Sequence, residues 1–221
     1  QFALPEELSG IHSLFESGRA AIVGNVGPLV EPLTKQDVES GGKRLPKRLF
    51  SHNDQQSTWM ANQPEGAQFG WGGSFSDAAI SSSANANDIF TAISTSGNSV
   101  FLSGSRTQPY QLSPSGAAEI ELLRRLSDLQ DTPEGNEAYQ TLRRLFQAGA
   151  YNENNLIGQD VAAIMCSSLT VNETYNQATQ NAPELPLPFC EDQLGQQLAA
   201  VARTIQSRDA LGMGRQVFFV G

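Results

Sequence analysis

Charge, histidine, cysteine and long apolar runs are all scarce in this 221-residue sequence. Charged residues make up only 17%, and 14 basic against 23 acidic side chains leave a formal charge of −9. An acidic chain is not drawn non-specifically to nucleic acid or to anionic membrane surfaces, so we expect no nucleic-acid partner. No apolar run approaches the ~20 residues of a membrane-spanning helix, so we expect no membrane span.

The two cysteines and two histidines limit the chemistry that the chain can carry alone. Cys166 and Cys190 flank a polar, proline-rich segment. They are either bridged, in an oxidising compartment, or two unrelated buried thiols. In a periplasmic protein we expect the disulfide, whose loop of about 25 residues would stabilise the fold by ~3 kcal/mol. His12 lies on the polar side of a predicted helix, so His52 would have to form a metal site alone, which it cannot.

Internal repeats and a phosphate-binding glycine signature are also absent. The segment Phe69-Gly70-Trp71-Gly72-Gly73 lacks the spacing and the following Lys of a phosphate-binding loop. Its glycines instead predict close backbone approach or positive φ. The chain opens with Gln rather than Met and shows no signal peptide there, so we expect a processed or trimmed product.

Apolar periodicity and turn residues together predict an α/β protein. The predicted helices lie at 4–17, 52–63, 75–83, at three places between 115 and 180, and at 194–205. The predicted strands lie at 20–26, 90–94, 99–102, 108–112 and 215–220. The three middle strands predict a small hairpin-like sheet, with Pro109 placing the last of them at its edge. We expect 20–26 and 215–220 to share the central sheet.

The stretch 49–59 crowds a hydroxyl, an imidazole and a carboxylate into four residues, Ser51 to Asp54. We expect it in a loop that follows a strand and enters a helix, where ligands gather in α/β proteins. Ser51 and His52 would then act in catalysis, the hydroxyl to attack or orient and the imidazole to bind metal or shuttle a proton. The alternative is that Ser51 or Asn53 caps the helix and His52 packs at its start. Asp54 suits the helix dipole in either case.

One basic cluster interrupts the acidic chain, at Lys43, Arg44, Lys47 and Arg48. It is either a solvated loop or a loop that approaches an anionic substrate. The sequence leaves both interpretations open.

Three parts of the sequence carry a family resemblance. The first comprises residues 4–8 and 18–27. The second is the Ser-His-x(3)-Gln-x(2)-Trp segment within 50–59, followed by Gly70-Trp71-Gly72-Gly73. The third comprises residues 193–198 and 217–220. They resemble domain-of-unknown-function family 1501, whose members are exported bacterial proteins of the alkaline-phosphatase-like (sulfatase-like) superfamily. The resemblance spans the whole chain but only the central portion of the family's length.

The resemblance implies an α/β/α sandwich and a metal-dependent hydrolase of phosphate or sulfate esters, exported by the twin-arginine route to the periplasm or beyond. It implies Ser51 and His52 as catalytic residues, with His52 also a metal ligand in the intact parent. It further implies substrate contacts from Asn53, Gln56, Trp59 and Arg48 to a small anionic ester.

The family's later Asp- and His-bearing segments do not occur in this sequence. We therefore expect divalent metal ions in the intact parent and none bound by this chain alone, which would be inactive as a fragment. The alternative is a non-catalytic envelope protein that keeps the sandwich as a binding or assembly module.

The resemblance also implies three parts of the chain. Residues 1–75 would form the first αβ part of the sandwich core with the site loop. Residues 76–189 would form a mostly helical insertion or cap, with short strands at about 90–112. Residues 190–221 would form the second αβ part of the core. A further possibility is that the helices of 115–180 form a cap that selects the substrate.

Overall fold

The computed structural model describes residues 3–24, 26–117, 125–126, 129, 132–149, 155–186 and 188–221. In these residues the α-helices are α1 (Ser9–Glu16), α2 (Lys35–Ser40), α3 (His52–Ala61), α4 (Trp71–Ser81), α5 (Pro133–Gly149), α6 (Leu156–Gln180) and α7 (Gln193–Gln206). The strands are β1 (Ala92–Ser94), β2 (Tyr110–Gln111) and β3 (Val217–Phe219), and 3₁₀ turns lie at Glu6–Leu8 and Val100–Leu102. The chain is thus a mixed helix-and-strand protein, as the sequence predicts.

The three strands form one parallel sheet in the order β2-β1-β3. Ile93 in the central strand pairs with Tyr110 on one side and with Phe218 on the other. The position of β2 at an edge is as predicted from Pro109, which has no N–H to donate to a ladder. The hairpin-like sheet is a wrong prediction, because β1 and β2 run parallel, and parallel strands need a crossover rather than a tight turn.

The predicted strand at 99–102 is also wrong, since Val100–Leu102 forms a 3₁₀ turn. The hydroxyl of Ser99 accepts a hydrogen bond from the Phe101 N–H at 3.2 Å. A serine that bonds its own neighbouring backbone offers the chain an alternative to a strand ladder. The apolar composition of the segment reflects burial of Leu102, which is 0% exposed, and not strand pairing.

The predicted strand at 20–26 is not formed. Residues 20–24 and 26 carry no strand pairing, and Asn25 lies outside the described residues. The side chains of Val23 and Val26 are 77% and 62% exposed. The preceding helix α1 forms as predicted, but none of its residues is buried. A strand needs a partner strand, and here none of the described residues supplies one, so 20–26 and 215–220 do not share a sheet.

The hydrophobic core lies where α6 and α7 meet the sheet. Its buried members are Phe90, Ile93, Leu112, Ala117, Tyr175, Ala200, Leu211 and Met213. The Phe90 ring lies 5.2 Å from that of Tyr110 and 6.0 Å from that of Tyr175. The hydroxyl of Tyr175 shares a 2.8 Å hydrogen bond with Thr204, which joins the two helices. Burial raises the pKa of Tyr110 and Tyr175, so both phenols stay neutral.

On the other side, α3 and α4 pack against the 3₁₀ turn at Val100–Leu102. A Cβ added at Gly70 would lie 2.1 Å from the Val100 carbonyl oxygen, and one at Gly73 would lie 2.1 Å from that of Ser103. These glycines therefore provide the close backbone approach that the sequence predicts. Positive φ is not their role, since Gly70 has φ −109°.

The middle part is helical as predicted where the structure describes it, but one predicted core-facing stripe is exposed. Helix α5 is described over Pro133–Gly149 and α6 over Leu156–Gln180. The apolar stripe of α6, which helical spacing predicts on the core side, is instead exposed, with Leu156, Ile157 and Ile164 at 74%, 77% and 65%. Tyr139 of α5 donates a 2.6 Å hydrogen bond to Glu173 of α6, which Arg143 also approaches at 3.4 Å. The predicted helix through 120–126 falls mostly outside the described residues. No helix in the described part of the chain is long and apolar enough to cross a membrane.

The suggested disulfide is not formed, because Cys166 and Cys190 are both free thiols. Cys190 lines a surface cleft together with Thr179, near the C-terminal end of α6. Cys166 lies 13 residues earlier on that helix (179 − 166), about 20 Å along its axis at ~1.5 Å per residue. A disulfide needs Cα atoms within about 7 Å, and this separation along α6 is far larger.

The sheet combines strands from two of the three predicted parts of the chain. Strands β1 and β2 come from the middle part, 76–189, whereas β3 comes from the last part, 190–221. The helix before β3, α7, forms over Gln193–Gln206 as predicted, and β3 itself is half-buried rather than fully buried. The middle part therefore supplies two of the three strands of the sheet and not only a cap.

Candidate functional site at the carboxyl end of β3

Helix α3 carries most of the residues that the sequence singles out, and Ser51 caps its start. Ser51 has extended backbone, with φ −93° and ψ 121°, and its Oγ accepts a long 3.4 Å hydrogen bond from the Asp54 N–H. This is the geometry of an N-cap. Ser51 is therefore a helix cap, as the alternative interpretation had it. The strand that was expected before this loop is not formed, since residues 47–50 form a turn.

Asp54 is the buried anchor of this region and is only 3% exposed. Its Oδ1 accepts hydrogen bonds from Arg48 Nη1 at 3.2 Å and from the Glu65 N–H at 2.9 Å. The hydrogen bond with Ser51 is the main cause that lowers the pKa of Asp54, and burial opposes it. Asp54 thus ties the loop before α3 to the loop after it, which is a structural role.

His52, the first residue of α3, is exposed to solvent. His12 lies apart from it on α1, 3.8 Å from Glu16 of the same helix. Within the described residues, no group of three or more His, Cys, Asp and Glu side chains could hold a metal ion. The described residues of this chain therefore do not by themselves fit a divalent metal site.

The basic cluster is largely engaged by acidic neighbours. The ion pairs are Lys43–Asp37 at 3.1 Å, Arg44–Glu31 at 3.9 Å and Arg48–Asp54 at 3.2 Å. The side chain of Arg48 is 64% exposed, whereas that of Asp54 is 4% exposed. These pairs favour the interpretation of a solvated loop over that of a loop reserved for an anionic substrate.

A cleft of about 370 Å³ lies between α3 and the carboxyl end of β3. Its lining residues are Asn53, Gln56, Ser57, Met60, Glu65, Gly66, Ala67, Asn98, Ser99, Val100 and Phe219. The four from α3 recur at i, i+3, i+4 and i+7, so one face of the helix lines the cleft. Two predicted substrate-binding residues, Asn53 and Gln56, are therefore brought to the place where ligands collect in open parallel sheets.

The other predicted site residues do not line this cleft. Ser51, His52, Trp59 and Arg48 are absent from its described lining. Trp59 is 53% exposed, and its carbonyl oxygen accepts a 2.8 Å hydrogen bond from the Trp71 indole N–H. Since His52 and Trp59 are seven residues apart, they lie on one flank of α3, beside the face that lines the cleft.

Several polar groups in the cleft already have partners. Ser57 donates to the Pro64 carbonyl oxygen at 3.1 Å, and Ser99 donates to the Met60 sulfur at 3.3 Å. Asn98 Oδ1 accepts from Gln111 Nε2 at 2.9 Å, which leaves the Asn98 amide nitrogen without a partner in the described structure. The side chains of Asn53 and Gln56 likewise make no hydrogen bond to any described residue.

Sequence reasoning missed the residue that fixes the end of β3, Gln197. This side chain on α7 is only 1% exposed. Its amide donates to the Gly221 carbonyl oxygen at 2.9 Å and accepts from the Gly221 N–H at 2.9 Å. It also accepts a 3.5 Å hydrogen bond from Thr95. The apolar spacing gave no signal for it, because Leu194, Leu198 and Ile205 are 49%, 40% and 46% exposed. The buried face of α7 instead carries Gln197 with Gly195, Ala200 and Thr204.

Comparison with known proteins gives this cleft no precedent. No protein-family model matches the chain, and neither the curated proteins nor the solved structures include a match to it. The function is therefore inferred from the sequence segments and from the geometry of the cleft.

Proposed function

We propose that the chain is the central portion of an exported bacterial alkaline-phosphatase-like protein, a metal-dependent hydrolase of phosphate or sulfate esters. Under this proposal the three-stranded sheet is part of an α/β/α sandwich, and the protein acts in the periplasm or outside the cell. The supporting evidence is the resemblance of the segments at 4–27, 50–73 and 193–220 to family 1501, together with a parallel sheet flanked by helices.

One observation carries the proposal: the helix with the Ser-His-x(3)-Gln segment lies beside the carboxyl end of β3. Asn53 and Gln56 of that helix share a cleft with Phe219, the last residue of the strand. Substrates of open α/β proteins bind outside the carboxyl ends of the strands. Asn53 and Gln56 of the segment therefore lie where a substrate would be expected, although they are far from β3 along the sequence.

The proposed role of His52 follows from its exposure on the flank of α3. An exposed imidazole next to a cleft is able to exchange protons with a substrate and with water, as general acid–base catalysis requires. Ser51 caps the first turn of α3, which begins at His52. The metal ligands that the proposal requires are not among the described residues.

The experiment compares the two histidines in the intact parent protein supplied with divalent metal ions. Release of p-nitrophenol from its phosphate ester and of p-nitrocatechol from its sulfate ester measures both activities. We expect His52→Ala to lower kcat by about 10²-fold or more, the usual contribution of a positioned acid–base group. His12→Ala, on helix α1 and outside the described lining of the cleft, should leave kcat unchanged. A parent inactive towards both esters refutes the proposal.

The second candidate function is a non-catalytic binding or assembly module of the cell envelope. It is favoured by the capping role of Ser51 and by the lack of a metal-binding group among the described residues. The two functions separate at His52: binding to the envelope partner should survive His52→Ala, whereas ester hydrolysis should not.

A further inference from the structure

We propose that the cleft between α3 and the carboxyl end of β3 binds a neutral, hydroxyl-rich group, a sugar ring. The ester would then be a phosphorylated or sulfated sugar. The assignment of the ring as part of a substrate rests on the proposed function, whereas the binding of the sugar itself can be measured independently.

The charge of the cleft argues against binding of the anionic group itself. Among the described residues that line it, Glu65 is the only charged side chain, and it is acidic. The nearest member of the basic cluster in sequence, Arg48, is paired with Asp54 at 3.2 Å. A phosphate or sulfate placed in the cleft would meet a carboxylate and no cation, which disfavours it. The group that fits here is therefore neutral.

The unpaired groups of the cleft match hydroxyls. The side-chain amides of Asn53 and Gln56, one helical turn apart on α3, make no hydrogen bond to any described residue. Asn98 also lines the cleft, and because its oxygen accepts a 2.9 Å hydrogen bond from Gln111, its amide nitrogen has no partner among the described residues. An amide both donates and accepts, and so does a hydroxyl, so these three side chains can bind several hydroxyls of one ring.

Apolar side chains complete the cleft. Met60, Val100 and Phe219 contribute to its walls, and the ring of Phe219 lies 5.6 Å from that of Phe101. A sugar ring presents C–H groups as well as hydroxyls, so a wall with both apolar and amide groups suits it. The volume of about 370 Å³ lies at the lower end of the range for small-molecule sites. It therefore fits a small saccharide rather than a large cofactor.

The position of the cleft at the end of β3 indicates where an ester group on a bound sugar ring would lie. Phe219 ends β3, and Gln197 holds the backbone two residues later, at Gly221, by two hydrogen bonds of 2.9 Å. A ring seated against Phe219 thus lies beside a rigid strand end. A phosphate or sulfate on that ring would project beyond the strand, where the proposed function places the ester.

The test is a binding measurement on the 221-residue chain with galactose, N-acetylglucosamine and lactose as probes. Saturation-transfer NMR detects the weak, millimolar binding expected of single sugars. We expect the double variant N53A/Q56A to bind the preferred sugar at least 10-fold more weakly. The control is Gln68→Ala, an exposed amide outside the cleft, which should bind like the unaltered chain. Because all three side chains are exposed, far-UV circular dichroism should show unchanged folding in each variant.

The outcomes are distinguishable. Sugar binding that N53A/Q56A weakens and Gln68→Ala does not supports the inference. Failure of all three sugars to bind, equal binding by the double variant, or displacement of the sugar by inorganic sulfate or by triglycine overturns it. Sugar binding by a parent without esterase activity refutes the proposed function but not the sugar site. Esterase activity without sugar binding refutes the sugar site but not the proposed function.

Discussion

Asp77 makes the densest set of hydrogen bonds to a carboxylate in the described structure, so its removal tests how the loop at 103–107 is held. The carboxylate, on α4, accepts from the backbone N–H groups of Ser105, Arg106 and Thr107 at 2.7, 3.2 and 2.9 Å. It also accepts from the hydroxyls of Ser105 and Thr107 at 2.9 and 2.7 Å. This loop follows the 3₁₀ turn that faces α3, so Asp77 supports one wall of the candidate site.

Burial raises the pKa of Asp77, but the hydrogen bonds from Thr107 and Ser105 outweigh it and lower the pKa from 3.8 to about 2. Such a shift corresponds to about 2.4 kcal/mol at ~1.36 kcal/mol for each pH unit (3.8 − 2 = 1.8), and partial exposure reduces it to about 1–2 kcal/mol. Because the folded pKa is the lower one, this stabilisation is present above pH 3.8 and is lost as the pH falls towards 2.

The substitution Asp77→Asn should destabilise the chain by about 2 kcal/mol at neutral pH. The asparagine side chain keeps one acceptor oxygen, but it carries no negative charge. Its NH₂ group would face N–H and O–H donors of the loop, which would then have no acceptor. The assay is urea unfolding followed by far-UV circular dichroism at pH 7, 4, 3 and 2. The unaltered chain should lose about 1–2 kcal/mol more than the variant between pH 4 and pH 2.

The matched control is Asp88→Asn, which changes an exposed carboxylate that makes no hydrogen bond in the described structure. It should shift the free energy of unfolding by less than about 0.5 kcal/mol. The reasoning is refuted if Asp77→Asn is equally harmless at pH 7, or if the variant loses as much stability as the unaltered chain between pH 4 and pH 2.

Two further substitutions test the packing around the site. Gln197→Leu should lower the free energy of unfolding in urea by about 3 kcal/mol, because it leaves the backbone at Gly221 without its buried partners. The control Gln193→Leu, at an exposed position of the same helix, should lower it by less than about 0.5 kcal/mol. Gly73→Ala should destabilise by about 3 kcal/mol, since the new Cβ would lie 2.1 Å from the Ser103 carbonyl oxygen. Gly10→Ala, with nothing within 4 Å, should be neutral or slightly stabilising in the same urea-unfolding assay. Equal effects within either pair would contradict the packing described here.

The helices are the part of this fold that local sequence specifies. The positions of α1 and α7 and the cap at Ser51 depend on residues within one or two turns of each other. The structure confirms these helices because their hydrogen bonds are internal to each segment. The same local signals predicted Asp54 in the first turn of α3, where it serves the cap and the adjoining loops.

The strands could not be predicted as well, because a strand is completed by a partner that is distant in sequence. The run at 20–26 has the composition of a buried strand yet lies exposed, and 99–102 forms a turn instead. The short strands β1 and β2 were located correctly, but their parallel pairing with each other and with β3 was not. Pairing depends on which backbones the packing of α6 and α7 brings together.

The candidate site divides in the same way. The sequence by itself determined that one helix carries a serine cap, a histidine and two amides, and it identified Asn53 and Gln56 as groups that could contact a substrate. Only the tertiary structure decided that these amides face Asn98 and Phe219, and that His52 and Trp59 lie on the flank instead. The physical reason is that helical periodicity is local, whereas a cleft is formed by chain segments that meet through burial of apolar surface far along the sequence.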